Sequence, residues 1–471
     1  MAAEPPNLLT AGEMIAAYSA GELSPVETTR ASLDSISEHN GTFNAYCLID
    51  EDSAMKNAEE SAERWHQGNP LGLLDGVPTS IKDMFLTEGW PTLRGSRCIS
   101  PDQPWEVDSP ITARLREHGA VLLGKTTTPE LGWKGVTDSP LTGITRNPWR
   151  PDLTPGGSSG GSSAAVALGM GPLSVGTDGG GSVRIPASFC GIAGFKPTHG
   201  RIPLYPASPF GQLAHAGPMA RSTDDIALLM DVLALPDPRD PGALPPPIAS
   251  YREAVRRDVR GLIAAFSPTL GYVDVDPEIA AIVRDAVDSL DDAGLHIEQT
   301  DPGFQDPAEP FDVLWSAGAA KWLDTFPPEL ASEVDPELRR VWEHGKTFSA
   351  SDYLEANGQR AALGIEMGLF HNNYDVLITP TMPIQPFEVG YDVPPGAEYR
   401  DWPSWTRFSY PFNMTQQPAA SVPVGFTKSG CPVGLQVVGP RHSDDLVLAV
   451  CRLLESIRPW TDTLPPVLRG E

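Results

Sequence analysis

Two short segments rich in glycine and serine carry the residues best suited to chemistry. The first reads PGGSSGGSS over residues 155–163 and the second reads GTDGGGSVRIPA over residues 176–187, with an apolar run between them. A serine hydroxyl becomes a nucleophile when a base removes its proton. Ser158 and Ser182 are therefore candidates for attack on a carbonyl carbon.

The three residues before Ser182 make it the stronger candidate. Gly179, Gly180 and Gly181 have no side chains, so their backbone N–H groups can converge on a carbonyl oxygen as it gains negative charge. We therefore predict that these glycines form an oxyanion hole beside a nucleophilic Ser182.

Lys82 is the candidate base. It follows an apolar, strand-like run and precedes Asp83. Burial of an ammonium group favours its neutral form, so a buried Lys82 could accept a proton near pH 7. The alternative is a surface lysine paired with Asp83, and the residues alone leave both interpretations open.

Two other kinds of site also use glycine-rich segments. A phosphate-binding loop would need Lys-Ser or Lys-Thr to close the first segment, and a dinucleotide-binding site would need GxGxxG at the start of a helix; neither is present. Residues 156–160 do satisfy GxSxG, which would make Ser158 the nucleophile with a downstream histidine as its base. That pattern arises easily in glycine-rich sequence.

The remaining chain predicts a single α/β domain. Helical periodicity over residues 8–19, 25–39 and 53–66 is followed by short apolar runs that alternate with helical stretches. This alternation predicts a mixed, mostly parallel central sheet flanked by helices on both faces. We predict one domain over residues 1–471, made of four parts: a helical lead-in (1–66), a catalytic core (67–235), a largely helical substrate-pocket portion (250–400) and a return to the core (401–471).

The composition of the chain limits the kinds of molecule that it can bind. A formal net charge of -27 offers no basic surface for nucleic acid or an anionic membrane. The five cysteines lack CxxC spacing, the amino-terminal stretch is unlike a signal peptide, and no run of about 18 apolar residues occurs. We predict a cytoplasmic monomer or homodimer that acts on a small molecule.

The motifs together resemble the amidase signature family. The resemblance rests on Lys82-Asp83, on residues 156–201, and on the later segments LITPTMP, PFNMTQQPAASVP and GCPVGLQVVGP, in that order along most of the chain. It implies the amidase fold and amide hydrolysis by a Ser-Ser-Lys triad formed by Lys82, Ser158 and Ser182, with Ser158 on a cis peptide. It also implies that neither a metal nor a cofactor is needed.

The resemblance implies further roles nearby. Asp178 and Arg184 would form a mostly buried pair that shapes the nucleophile loop, and Ser159 would hydrogen-bond near the relay. Gly132 and Trp133 would lie near the scissile bond. One departure is Gly179, where the family often has Thr or Ile, and an extra glycine there predicts added room beside the oxyanion turn.

The substrate is less defined. Members of this family hydrolyse amides or carbamates, and one branch is the glutaminase subunit of a tRNA-dependent amidotransferase. That subunit commonly has Ser-Leu-Asp-Gln where this chain has GQLAHAGP, and a glutamine site needs charged partners in a region that reads as apolar. The abundant tryptophan and phenylalanine favour a neutral, apolar or aromatic amide or carbamate, with a urethanase activity included. The alternatives are a non-catalytic binding protein and the glutaminase subunit.

Overall fold

The computed structural model describes residues 5–470, and its central feature is one 11-stranded sheet. A separate two-stranded sheet is formed by β4 and β5. The strands, in chain order, are β1 (Tyr46–Ile49), β2 (Pro78–Lys82), β3 (Val121–Thr126), β4 (Asp138–Ser139), β5 (Gly143–Ile144), β6 (Leu173–Asp178), β7 (Ala193–Lys196), β8 (His215–Ala220), β9 (Ile263–Phe266), β10 (His296–Gln299), β11 (Val376–Pro380), β12 (Ala419–Phe426) and β13 (Pro432–Val438).

Helices surround the large sheet. They are α1 (Ala11–Ala20), α2 (Pro25–Phe43), α3 (Glu51–His66), α4 (Pro110–Glu117), α5 (Gly160–Ala167), α6 (Arg184–Cys190), α7 (Thr223–Leu233), α8 (Tyr251–Ala254), α9 (Pro277–Asp292), α10 (Ala308–Leu323), α11 (Pro336–Gly345), α12 (Ala350–Phe370), α13 (Pro411–Met414) and α14 (Asp444–Ile457).

The strand order is β1-β3-β2-β6-β8-β7-β12-β13-β11-β9-β10. Parallel pairs occur in two groups, β3-β2-β6 and β11-β9-β10. The central strands from β6 to β11 and the edge pair β1-β3 are antiparallel. The predicted mixed α/β sheet is confirmed, but the prediction that it is mostly parallel is wrong. Neighbours such as β12 and β13 are joined by a short loop, which only an antiparallel pair allows.

The segment predicted as a helical lead-in (1–66) contains α1, α2 and α3 in its described part, and its residues 1–4 lie outside the described residues. Local sequence explains its helix ends: Ser24 and Glu27 form a capping box, in which each side chain accepts a hydrogen bond from the other residue's backbone N–H, and Pro25 takes the first helical position of α2. The segment also contributes β1, which pairs with β3 at the edge of the sheet. These four residues lie between α2 and α3. The strand was not predicted because the helical periodicity on both sides dominates the sequence pattern.

The sheet has a hydrophobic core on each face. Along β11, Val376 and Ile378 belong to one buried cluster while Leu377 belongs to the other. Successive side chains of a strand point to opposite faces, so the sheet is covered on both sides, as predicted. The second core contains the tryptophans and phenylalanines of α10 and of the segment before α13.

Strand direction brings the candidate residues together. Lys82 ends β2 and Asp178 ends β6, and these two strands are parallel neighbours. Their carboxyl ends therefore meet at one edge of the sheet, the edge at which α/β proteins bind ligands. Ser158 and Ser182 lie just before α5 and α6, which begin at the same edge.

All five cysteines are free thiols. In the part of the chain that the structure describes, no helix has both the length and the apolar character required to cross a bilayer.

Close strand packing beneath the site predicts a specific sensitivity. A Cβ atom on Gly217 of β8 would lie 2.1 Å from the carbonyl oxygen of Phe195 on β7. Because backbone must move to admit the methyl group, we expect Gly217→Ala to lower the free energy of unfolding by about 1–3 kcal/mol in urea denaturation. As a control, a Cβ on Gly364 of α12 meets no atom within 4 Å, so Gly364→Ala should stabilise the protein by about 0.5–1 kcal/mol. Equal effects of the two substitutions would contradict this account.

Candidate active site

Lys82 is fully buried and surrounded by hydroxyl groups. Its Nζ lies 2.6 Å from Oγ of Ser158, 3.0 Å from Oγ of Ser159 and 2.7 Å from Oγ1 of Thr177. Its exposed fraction is 0%, so the interpretation of a surface lysine paired with Asp83 is wrong. Asp83 instead has a carboxylate oxygen 2.9 Å from Nζ of Lys125.

Burial lowers the pKa of Lys82 well below its ordinary value, and the negative charge of Asp178 opposes this shift only in part. The charged form is disfavoured because a buried ammonium loses its water without gaining a carboxylate in hydrogen-bond contact. A neutral Lys82 amine has a lone pair available for the proton of a neighbouring hydroxyl. The geometry therefore suits a base.

The two candidate serines line the same cavity. The peptide bond between Gly157 and Ser158 is cis, as the family resemblance implied. The backbone N–H of Ser159 donates to the carbonyl oxygen of Ser182 at 3.1 Å, which ties the two glycine-rich segments together. The hydroxyl of Ser182 makes no hydrogen bond within residues 5–470 and faces the cavity it lines.

Ser159 also takes its predicted place near the relay. Its Oγ lies beside Nζ of Lys82 and donates to the carbonyl oxygen of Thr177 at 3.1 Å. Ser159 is thus a fixed neighbour of Lys82.

The GxSxG alternative required a histidine beside Ser158. His215 is the histidine in the cavity wall, and its Nδ1 donates to the carbonyl oxygen of Leu213 at 2.8 Å. Burial, aided by the charge of Lys196, lowers the pKa of His215 well below its usual value. Within the described residues the side-chain partner of Ser158 is Lys82 and no histidine. A serine–histidine pair at Ser158 is therefore not formed.

The amides of the predicted oxyanion turn differ in their hydrogen bonds. The N–H of Gly181 donates to Oδ1 of Asp178 at 2.8 Å, so this amide is already engaged. The amides of Gly179, Gly180 and Ser182 have no hydrogen-bond partner among residues 5–470 and remain available beside the nucleophile. The assignment of Gly181 as an oxyanion donor is corrected accordingly.

Large rings pack directly on this turn. A Cβ on Gly179 would lie 2.9 Å from the ring of Trp315, and one on Gly180 would lie 2.7 Å from the ring of Trp402. The extra glycine at 179 therefore does not add room, contrary to the expectation from the sequence, because Trp315 occupies the space. The aromatic side chains instead hold the turn against the second core.

Asp178 and Arg184 form the buried ion pair that the resemblance implied. Both side chains are fully buried, and the guanidinium donates to both carboxylate oxygens at 2.9 and 3.0 Å. The remaining guanidinium hydrogens are bound by distant parts of the chain: Oδ1 of Asn413, Oε1 of Gln436 and the carbonyl oxygen of Ser409. Such saturation is what makes a buried ion pair tolerable.

Burial raises the cost of ionising Asp178, but the charge and hydrogen bonds of Arg184 outweigh it and hold the pKa of that carboxyl well below its usual range. Asp178 is thus a permanent carboxylate that accepts from the amides of Gly181 and Val183. The pair fixes the backbone that carries Ser182.

The candidate site opens into a cavity of about 410 Å³. Gly132 lines it, and a Cβ there would lie 3.3 Å from Oγ of Ser158; that it contacts the substrate stays a prediction. Trp133 is buried in the neighbouring core and does not line the cavity, which corrects its assignment as a substrate contact. Trp315 and Trp322 are the tryptophans that do line it.

Several functional residues were missed from the sequence. Thr177 contacts Lys82, and Asn413 and Gln436 complete the hydrogen bonds of Arg184. Asn413 and Gln436 lie within segments that carried the family resemblance, but neither segment contains a pattern that assigns a role. Thr177 precedes Asp178 in the second glycine-rich segment, and its position beside the relay could have been suspected from that motif.

No cluster of three or more His, Cys, Asp and Glu side chains suited to hold a metal occurs among residues 5–470. That no cofactor is used stays a prediction.

The buried pair predicts a large effect on stability. Arg184→Met leaves the Asp178 carboxylate buried without a counter-ion, and we expect a loss of about 3–5 kcal/mol in the free energy of unfolding near neutral pH. In the wild-type protein the lowered pKa of Asp178 stabilises the fold above the unfolded pKa of an aspartate, and this is lost as pH falls through the folded pKa. In the variant the Asp178 carboxyl can protonate more readily, so the loss of stability should become smaller as pH falls.

The exposed Arg340 gives the control, since Arg340→Met should change stability little. Equal losses in the two variants would contradict a special role for Arg184.

Comparisons with known proteins identify relatives along nearly the whole chain. The Amidase family model matches residues 27–448. An acylamidase from Rhodococcus erythropolis is 38% identical over 463 residues, which cover 97% of this chain and 97% of that protein. A glutamyl-tRNA(Gln) amidotransferase subunit from Chloroflexus aggregans is 33% identical over 491 residues, with 98% of this chain and 99% of that protein covered.

A solved structure agrees in fold over nearly the whole chain. The crystal structure of a bacterial aryl acylamidase of the amidase signature enzymes superposes with a TM-score of 0.90 at 29% identity, covering 97% of this chain and 98% of that one. The sequence match over nearly the whole chain and the shared fold both identify the family. The chain belongs to the amidase signature family and is a hydrolase of carbon–nitrogen bonds.

Proposed function

We propose that the protein hydrolyses a small amide or carbamate through a covalent acyl-enzyme on Ser182. The observation that carries this proposal is the 2.6 Å contact between Nζ of buried Lys82 and Oγ of Ser158, in the wall of the cavity that Ser182 lines. A buried amine with a lowered pKa supplies the base that a serine nucleophile needs.

The relay conserves protons at each step. Neutral Lys82 accepts a proton from Ser158, which takes one from Ser182 as its Oγ bonds to the carbonyl carbon. The tetrahedral oxyanion is stabilised by the amides of Gly179, Gly180 and Ser182. As the carbon–nitrogen bond breaks, Ser158 returns a proton to the leaving nitrogen and is reprotonated by Lys82. Water then attacks the acyl-enzyme, using the same relay, and releases the acid and Ser182.

The cavity supports an apolar or aromatic group next to the scissile bond. Its wall contains Met84, Leu131, Phe210 and Trp315. Such a surface favours rings and hydrocarbon chains over small polar groups. Anilides, other aryl amides and aryl carbamates are the substrates we propose, and an acylamidase among the full-length relatives agrees with them.

The glutaminase subunit is the second candidate because of its full-length relatives. A glutamine substrate presents an α-ammonium group that needs a carboxylate partner. Arg94 and Lys321 are the charged side chains in the cavity wall, and no Asp or Glu lines it among the described residues. This favours a free-standing amidase, which we propose acts in the cytoplasm as a monomer or homodimer without a metal or cofactor.

The first experiment measures amine release from anilides, aryl carbamates, short aliphatic amides and glutamine. We expect turnover of the aryl compounds, and a loss of about 10⁴- to 10⁶-fold in kcat for Ser182→Ala because the nucleophile is gone. Lys82→Met and Ser158→Ala should also abolish turnover, whereas Ser456→Ala on the exposed face of α14 should not. Activity that survives in Ser182→Ala would exclude this nucleophile, and turnover of glutamine alone would favour the glutaminase of an amidotransferase.

The second experiment follows pH. Since only neutral Lys82 accepts a proton, kcat/KM should fall as pH is lowered through its reduced pKa.

The same pKa shift affects stability. The unfolded state, with an ordinary lysine pKa, binds the proton that the native state excludes, so the free energy of unfolding rises with pH in the window between the two pKa values. Lys82→Met should therefore reduce the slope of unfolding free energy against pH by up to about 1.4 kcal/mol per unit over that window. The similarly shifted Lys196 is present in both proteins and cancels in the comparison. Identical slopes would show that Lys82 is charged in the native state.

A further inference from the structure

Arg94 is an unpaired cation in the cavity wall. It lines the same cavity as Ser182, and its Nε is sealed from solvent without a hydrogen-bond partner. No side-chain nitrogen of Arg94 has a hydrogen-bond or ion-pair partner among residues 5–470. Burial lowers the pKa of this guanidinium, opposed in part by the charge of Asp83, although an arginine remains protonated in proteins.

Two other buried cations, Lys134 and Arg184, are fully engaged. Nζ of Lys134 has carboxylate oxygens of Asp138 and Asp392 at 2.7 and 2.8 Å, and Arg184 is saturated by its own partners. Asp83 contributes no bond to the guanidinium of Arg94, since its carboxylate accepts the backbone N–H of Arg94 and contacts Lys125. A structural role would show such partners, so the Arg94 side chain is free for a ligand.

The charge of the cavity is opposite to that of the whole protein. The chain has a formal net charge of -27. Its cavity wall nevertheless contains two cations, Arg94 and Lys321, and no carboxylate among the described residues. A wall that presents only positive charge favours a negatively charged group.

A series of aromatic rings connects the candidate oxyanion turn with Arg94. Trp315 packs on Gly179, and its ring stacks on Phe210 with centroids 4.1 Å apart. Phe210 meets Trp322 edge-on at 6.1 Å, and Cζ of Arg94 lies 5.4 Å from the centroid of Trp322. The cavity therefore has aromatic rings on the candidate oxyanion turn and a cation against the last of these rings, Trp322.

We propose that the guanidinium of Arg94 binds a carboxylate at the end of the substrate remote from the scissile bond, an inference that rests on the proposed hydrolysis at Ser182. Arg94 is a specificity-determining residue whose planar fork of donors matches the two oxygens of a carboxylate. Trp322 orients the guanidinium through its ring face. The substrate class is then an aryl or alkyl amide with a terminal carboxylate, which refines the neutral substrate expected from the sequence.

Two matched pairs of compounds test this inference. Benzamide and 4-carbamoylbenzoate differ by a carboxylate on the acyl side, and acetanilide and 4-acetamidobenzoate differ by one on the amine side. For each pair, kcat and KM are measured for the wild type, Arg94→Met, Arg94→Lys and the surface control Arg340→Met. Binding of both carboxylates to the Ser182→Ala protein, with and without Arg94→Met, is measured by calorimetry.

We expect the wild type to prefer the carboxylated member of at least one pair. Arg94→Met should reduce that preference about 10- to 100-fold, mainly through KM, because one charge-assisted contact is lost. Arg94→Lys should retain part of it, and Arg340→Met all of it. Equal effects of Arg94→Met on charged and neutral members of both pairs would overturn the role of Arg94. If no compound is turned over but the carboxylates bind Ser182→Ala in a manner that requires Arg94, the proposed hydrolysis fails and the carboxylate site stands.

Discussion

The burial of Lys82 without a carboxylate of its own is the constraint on which the site depends. The carboxylate whose charge acts on Lys82, that of Asp178, is bound by Arg184 and by two backbone amides. The charge of Asp178 favours the ammonium form of Lys82, but burial opposes that form more strongly. Arg184 fixes the turn that carries Ser182 and pairs with Asp178, whereas the contacts of the Lys82 Nζ are hydroxyl groups. The pairing of Asp178 with Arg184 thus orders the loop and leaves the buried lysine without a carboxylate in hydrogen-bond contact.

The order of the strands in the sheet brings Lys82, Asp178 and the partners of Arg184 together. Lys82 and Asp178 end adjacent parallel strands, whereas Gln436 reaches Arg184 from the antiparallel half of the sheet and Asn413 from the helix that leads into it. The antiparallel strands bring residues more than 200 positions away in the chain to the same buried guanidinium. The central antiparallel region, which the sequence did not predict, therefore stabilises the catalytic turn directly.

Local patterns explain what could be predicted. The glycine-rich segments, the helix caps and the apolar run before Lys82 are contiguous signals, and they identified the candidate triad and most elements. Trp133 and Gly181 were misassigned because their surroundings come from outside the local pattern: Trp133 turns into a core, and the amide of Gly181 is taken by Asp178. The sheet was wrongly predicted to be mostly parallel for a related reason. The periodicity of a strand gives no information about the direction of the strand that pairs with it.

The opposite charges of the surface and the cavity act over different distances. At physiological ionic strength, exposed charges are screened over about 8 Å, so the acidic surface does not govern a ligand already inside the cavity. Arg94 is partly buried there, where electrostatic interactions are stronger, whereas Lys321 is exposed. An acidic protein can therefore keep a cationic cavity wall, because no carboxylate lines that wall among the described residues. Arg94 lines this wall without a hydrogen-bond partner for its Nε among the described residues, and a carboxylate ligand would offset the cost of burying that charge.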